Sequence, residues 1–189
     1  GVSSIIGGGS NQHFDESVEI LQSNKFLGNF LQNKFVNLLA AKELDTITNK
    51  IIIDPKKYDI NTNKWVRKPS SPWGLIPEEQ EAIKHFRENN FDVAINRRNN
   101  FVTISIKHIS PKIANEWLEE LIAELDERIK TRDVNEANEA LIYLNERLSK
   151  TSISNDVKNS LSKLAVKYEK TILFANINKE FAFNIIDPP

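Results

Sequence analysis

The stretch Ser110-Pro111-Lys112-Ile113-Ala114-Asn115-Glu116-Trp117-Leu118-Glu119-Glu120-Leu121-Ile122 decides the fold. Ser110 is a good N-cap, and Pro111 falls at the first helical position, where a missing N–H is no loss. From there Ile113, Ala114, Trp117, Leu118, Leu121, Ile122, Leu125 and Ile129 form one apolar stripe at three-to-four spacing. After a five-residue step, Val134, Ala137, Leu141, Leu144 and Leu148 continue in the rhythm of helix-on-helix packing. No Gly or Pro interrupts residues 112–150. At ~1.5 Å per residue such a helix is roughly 55–60 Å long, more than a small globular domain can cover. The step near Thr131 to Asp133 predicts that the stripe changes partner there.

Thr151-Ser152-Ile153-Ser154 then reads as a polar turn, with Ser154 as N-cap and Asp156 in the positive first turn of a second helix. Val157, Leu161, Leu164, Tyr168, Ile172 and Ala175 give that helix its apolar face. Two long amphipathic helices joined by a short turn make an antiparallel hairpin over 111–179. Its two arms differ in charge. The outgoing arm carries ten acids against six bases, and the return arm five Lys against Asp156 and Glu169. Lys163, Lys167 and Lys170 share one face, and folding about Ser152 sets them opposite Glu136, Glu139 and Glu146. Two uses follow: pairing within the hairpin, or a basic stripe that meets the acidic helix of the next protomer. The second makes these six residues a candidate oligomer interface.

The flanks predict a small base. Gly1 to Ser10 holds four of the six glycines and three serines, the composition of a flexible linker. A phosphate loop would need a preceding strand and a Lys-Ser/Thr, and neither is there. A helix runs from Asp15, breaks near Asn24, and continues its pattern through Phe35, Leu38 and Leu39 to about Lys42. Ile51 to Pro77, with four prolines after Ile53-Asp54, is a surface excursion that Trp65 and Trp73 pin to the domain; stacking on a carbohydrate is their alternative use. A short helix follows over Glu78 to Glu88, with Pro77 at its first position. Phe91 to Ile95 and Phe101 to Lys107 form a hairpin around Asn96-Arg97-Arg98-Asn99-Asn100. Val102, Ile104 and Ile106 alternate with Thr103, Ser105 and Lys107, so one face of the sheet is wet. Phe181, Phe183 and Ile185 predict a last strand, stopped by Asp187-Pro188-Pro189. The fold class is α+β: a small mixed α/β base over 11–110 and 180–189, a flexible segment 1–10, and a long projecting antiparallel helical hairpin over 111–179.

Composition narrows the function. With 189 residues, 25 Lys+Arg and 26 Asp+Glu, the chain is one domain with an appendage and lacks the basic footprint of a nucleic-acid binder. Zero Cys excludes disulfides, thiolate catalysis and Cys-held metals. No apolar run approaches the ~18–20 residues that cross a bilayer, and no signal-peptide pattern opens the chain. The absence of Met makes it read as a fragment of a longer protein. His13, His85 and His108 are too scattered for a metal site, and each reads as a surface or capping group. The neighbours Glu78-Glu79 and Glu119-Glu120 point about 100° apart on their helices and make poor acid/base pairs. No residue pattern nominates a base for a Ser or Thr nucleophile. The expectation is a protein without catalytic, metal or cofactor-binding residues, and not an enzyme.

Four stretches resemble the Wzz-type chain-length determinants, the polysaccharide co-polymerases of bacterial surface-glycan assembly. They are Ile53-Asp54-Pro55 with Tyr58-Asp59 and Asn63-Lys64-Trp65-Val66-Arg67; His108-Ile109-Ser110-Pro111 with Ala114 and Trp117; Arg132-Asp133-Val134-Asn135-Glu136-Ala137 with Leu144 and Leu148-Ser149-Lys150-Thr151; and Phe181-Ala182-Phe183-Asn184-Ile185-Ile186-Asp187-Pro188. The likeness covers the chain from Ser17, and the Gly/Ser start resembles the family's variable loop near its first strand. It implies the periplasmic domain of a Gram-negative inner-membrane protein whose two transmembrane helices flank this part, with the base next to the membrane. It also implies regulation of lipopolysaccharide O-antigen chain length by a ring of protomers. The partners implied are further copies of the chain (weakly held without the membrane helices), a membrane glycan polymerase and the growing polysaccharide, with no nucleic acid and no cofactor. The alternatives are a periplasmic export adaptor, which needs lipoyl-like or barrel domains beside its hairpin, and a capsule or exopolysaccharide export co-polymerase, which carries a cytoplasmic kinase domain. A glycan-processing enzyme would need a carboxylate pair in a cleft.

Overall fold

A computed structural model describes residues 1–8, 11–150, 154–178 and 180–187. The fold is α+β. In chain order it runs β1 (Val2–Gly8), α1 (Asn11–Gln22), α2 (Asn24–Leu31), a π-helical turn (Val36–Ala40), β2 (Ala41–Asp45), β3 (Lys50–Ile53), β4 (Tyr58–Asp59), β5 (Lys64–Trp65), α3 (Glu79–Asn89), β6 (Phe91–Asn96), β7 (Phe101–Ile106), α4 (Pro111–Leu148), α5 (Asn155–Ile177) and β8 (Phe183–Asp187). It forms two compact units, Gly1–Glu124 with Ile185–Pro189, and Leu125–Asn184. The division falls inside α4, because Ala114, Trp117, Leu118, Leu121 and Ile122 are buried in the core of the first unit.

That core rests on a four-stranded sheet in the order β6-β7-β1-β8. β7 is antiparallel to both neighbours, with Ile106 opposite Phe91 on one side and Val2 on the other. Val102, Ile104 and Ile106 are buried while Thr103 and Ser105 are only half-buried, the alternation the sequence predicts. The segment expected to be flexible at 1–10 is instead a sheet strand over Val2–Gly8; residues 9–10 lie outside the described residues. Local composition gives Gly and Ser little strand preference, but pairing overrides it. Ile6 is buried, the buried Ser4 hydroxyl donates to the Asp187 carbonyl at 2.8 Å, and the Ile186 side chain packs on the bare Cα of Gly7.

Helices supply the rest of the core. Ser23 breaks the first helical pattern and caps α2 by accepting the Phe26 N–H at 3.2 Å. The helical pattern expected to reach about Lys42 ends earlier: β2 begins at Ala41, because Ile51 to Ile53 need a pairing partner and find it there. α3 starts at Glu79 with Glu78 as its cap residue, so Pro77 precedes the helix instead of opening it. Phe30, Phe86 and Trp117 meet with ring centroids 5.8 to 6.4 Å apart, and Phe91 stacks on Phe86 at 5.2 Å.

The three hairpins β2–β3, β4–β5 and β6–β7 share one turn. Asp45, Asp59 and Asn96 each accept the N–H two residues on, at 2.9 to 3.1 Å. Asn49, Asn63 and Asn100 then close the turns with φ of 54°, 53° and 55°, a left-handed conformation Asn tolerates better than most residues. Residues 54–77 are held down by Arg67. Its guanidinium forks onto Glu81 and donates to the carbonyls of Gly74 at 2.8 Å and Leu75 at 3.0 Å.

In the second unit, Ser154 caps α5 by accepting the Val157 N–H at 3.4 Å. The turn expected around Ser152 lies outside the described residues. The return direction is fixed at the other end. The Asp126 carboxylate accepts the N–H groups of Phe181 (3.1 Å) and Ala182 (2.7 Å), so the chain after α5 arrives beside the start of this stretch of α4. Leu125, Ile129, Ala137, Leu144 and Ala175 are buried. The inward row of α5 is Leu161, Ala165, Tyr168, Ile172 and Ala175, alternating four and three. Val157 and Leu164, expected in that row, lie outside it at 41% and 40% exposure. No described helix is long and apolar enough to cross a membrane.

Candidate functional site

Among the described residues the histidines and the adjacent acids are dispersed, each in surroundings of its own. His108 accepts the Ser110 N–H at Nδ1 (3.1 Å), which leaves the proton on Nε2 to donate to the Asn37 carbonyl at 3.0 Å. It therefore caps the entry to α4, and its ring packs 5.1 Å from Trp117. His85 is different. Its Nδ1 is buried without a hydrogen-bond partner. Burial, then the positive charge of Lys57, push its pKa below the ordinary imidazole value, against the pull of Asn90, Glu81 and Glu88. The side chain of His13 lies outside the described residues.

The adjacent acids hold separate partners. Glu119 accepts from Asn115 at 2.8 Å, and Glu120 pairs with Lys34 at 2.8 Å. Lys34 also donates to the Phe30 carbonyl and sits 4.2 Å over the Phe30 ring. Burial raises the pKa of the nearby Glu124, and Lys34 and Glu120 pull it in opposite directions. Among the described residues no three His, Asp or Glu side chains are placed to hold a metal ion. A hollow of about 450 Å³ is lined by Asn24, Gln80, Ile83, Lys84, Arg87 and Glu88, but Arg87 donates to the Gln22 carbonyl and Lys84 lies 4.0 Å from Glu88. Trp65 is edge-on to Tyr58 at 5.2 Å and under Arg67 at 5.7 Å, so its ring is used inside the 54–77 segment.

The six hairpin residues are where surface chemistry concentrates. Lys163, Lys167 and Lys170 are exposed on the side of α5 opposite its inward row, and none makes an ion pair among the described residues. Glu136, Glu139 and Glu146 are exposed on α4. Glu136 lies 3.9 Å from Arg132 on α4, and Glu146 lies 3.9 Å from Lys150, two residues past the end of α4. The two trios therefore do not pair with each other across the hairpin among the described residues.

Sequence reading missed what lies between those charges. Val166, Leu173, Phe174 and Ile177 are exposed among the lysines of α5, and Ile142 and Tyr143 are exposed between Glu139 and Glu146. At 100° per residue, Lys163, Val166, Lys170, Phe174 and Ile177 fall within about 80° of one another, so a helical wheel of the outer face shows the mixture.

No family model matches the chain, and no curated protein matches it.

Proposed function

We propose that this chain is the periplasmic domain of an inner-membrane regulator of surface-polysaccharide chain length, of the Wzz type. It acts as an oligomeric co-polymerase that scaffolds a membrane glycan polymerase making lipopolysaccharide O-antigen. The observation that carries this reading is the pair of unlike outer faces on the hairpin. α5 offers Lys163, Lys167 and Lys170 with exposed Leu173, Phe174 and Ile177; α4 offers Glu136, Glu139 and Glu146 with exposed Ile142 and Tyr143.

Each face suits the other on a second copy. Such a contact is head-to-tail, and it closes into a ring where the rotation between copies closes. The charges fix partner and register more than affinity, and the apolar side chains between them supply burial. Flanking membrane helices would raise the effective concentration of the copies, so the contact can be weak in the isolated domain. A ring of this kind regulates by positioning its polymerase and requires no reactive group of its own.

The test is deletion of the gene followed by electrophoresis of the surface polysaccharide. The expected result is loss of the preferred chain length; an unchanged length distribution overturns the reading.

A further inference from the structure

Four residues of the first unit close a circuit between the 54–77 segment and α3. The backbone N–H groups of Val66 and Arg67 donate to the Lys57 carbonyl, at 2.9 and 3.2 Å. The Arg67 guanidinium forks onto Glu81, and both side chains are mostly buried. Glu81 and His85 stand one turn apart on α3, on the same face. Lys57 completes the circuit, because its charge acts on the His85 ring. The segment enters at Asp54, whose N–H donates to the Ala40 carbonyl at 2.8 Å. Past that point, among the described residues, two cations make its hydrogen bonds to the rest of the unit. Lys57 donates its ammonium to the Leu39 carbonyl at 2.8 Å, and Arg67 holds Glu81.

His85 is the weak point of that circuit. The residue is half-buried, and its Nδ1 is buried without a hydrogen-bond partner, as is the Oδ1 of Asn90. The Asn90 amide is fixed by its Nδ2, which donates to the Lys107 carbonyl at 2.7 Å. The charged groups that act on the ring are Lys57 from the segment and Glu81 and Glu88 from α3. Burial and Lys57 disfavour the imidazolium, and they outweigh Asn90, Glu81 and Glu88, which favour it. Glu81 is already committed to Arg67, and Glu88 lies 4.0 Å from Lys84. We propose that His85 is a proton-operated latch: when the ring takes up a proton, residues 54–77 leave α3 while the sheet stays folded. An imidazolium repels Lys57 from its seat on Leu39, and it adds a second cation beside Glu81 in competition with Arg67. Release moves Lys57 away and wets the ring, so the released form binds the proton more tightly than the latched form. Lowering the pH through the imidazole range therefore drives release. Segment release and glycan length are measured separately, so the latch does not rest on the chain-length reading.

The experiment follows amide hydrogen exchange by NMR in the 189-residue chain at about pH 7 and pH 5, each rate being compared with that of an unstructured amide at the same pH. Protection of the Val66 and Arg67 N–H groups should fall about three-fold or more, since each unit of pKa difference between the two forms is worth about ten-fold. The amides of β7, in the middle of the sheet, should keep their protection. His85→Gln should make protection at Val66 and Arg67 the same at both pH values. In Lys57→Gln the His85 ring should titrate at higher pH than in the parent chain, because the repelling cation is gone. Protection at Val66 and Arg67 that ignores pH, that still falls in His85→Gln, or that falls together with that of β7 overturns the proposal. So does an unchanged His85 titration in Lys57→Gln, a readout that needs no substitution of His85.

Discussion

The two units bury their apolar side chains in opposite ways. In the first, helices and a sheet enclose Phe30, Phe86, Leu118 and Ile104 so fully that little of any of them reaches solvent. In the second, two helices share one seam, and Ile142, Tyr143, Val166, Leu173, Phe174 and Ile177 stay outside it. A helix pair has only one mutual face, so every further apolar residue on it needs a neighbour from elsewhere. The difference teaches where to look for function. The first unit gathers its large apolar side chains into one core and leaves Ile47, Ile60 and Ile76 exposed in its loops, and the second leaves such side chains exposed along its helices.

The largest effect should come from the closed unit. Phe86→Ala removes a fully buried ring that meets Phe30, Phe91 and Trp117, and should cost about 3–5 kcal/mol of stability. A loss below about 1 kcal/mol in denaturant unfolding would erase the contrast between the units. Next comes the seam. Leu144 is 3% exposed, so Leu144→Ala should cost about 2–5 kcal/mol. Leu164→Ala, on the outer side of α5, should change stability by less than about 0.5 kcal/mol. Equal losses at the two positions would mean that the inward row of α5 is placed wrongly.

How far the sequence reaches differs in the same way. The stripe of α4 was legible because Trp117, Leu118, Leu121 and Leu125 are large and regularly spaced. On α5 the register was partly misread: Leu164 outranks Ala165 in hydrophobicity, yet Ala165 faces the seam, where a small residue lets helices approach. β1 was illegible because its stability comes from β7 and β8 and not from its own Gly and Ser. The Asp126 contact joins residues 55 positions apart, and no local pattern signals it. The Asn turns could have been read: Asp45…Asn49 and Asp59…Asn63 repeat at one spacing. Of the candidate interface, the charges are visible in the sequence and the exposed apolar residues between them are not, since a helical stripe reads as core until the packing is known.

A smaller effect tests the closed unit from its weakest point. Folding lowers the pKa of His85, so the folded protein binds fewer protons there than the unfolded chain. Its stabilising contribution is present above the ordinary imidazole pKa of about 6.5 and is lost as pH falls below it. His85→Gln should therefore flatten the fall in melting temperature between about pH 7 and pH 5, by less than the effect of Leu144→Ala. An NMR titration placing His85 at or above the ordinary value contradicts this sign.

The smallest expected effect on stability carries the most about the open unit. Lys163, Lys167 and Lys170 make no ion pair among the described residues, so reversing all three to Glu breaks none. The melting temperature of the domain should hardly move, within about 0.5 kcal/mol. If α5 meets the acidic face of another copy, the same reversal places like charges together there, and the assembly of the full-length protein and its glycan length should change. Adding Glu136→Lys, Glu139→Lys and Glu146→Lys to the reversed chain should restore assembly. That rescue gives up the pairs Glu136–Arg132 and Glu146–Lys150, which at about 0.3–0.5 kcal/mol each are too small to mask it. Three results discriminate. Restored assembly identifies the two faces as partners. A large drop in melting temperature from the first reversal means that the trios pair within one hairpin in solution. Unchanged stability, assembly and glycan length would make the lysine stripe an ordinary solvated surface, and the open unit would have lost its reason for being open.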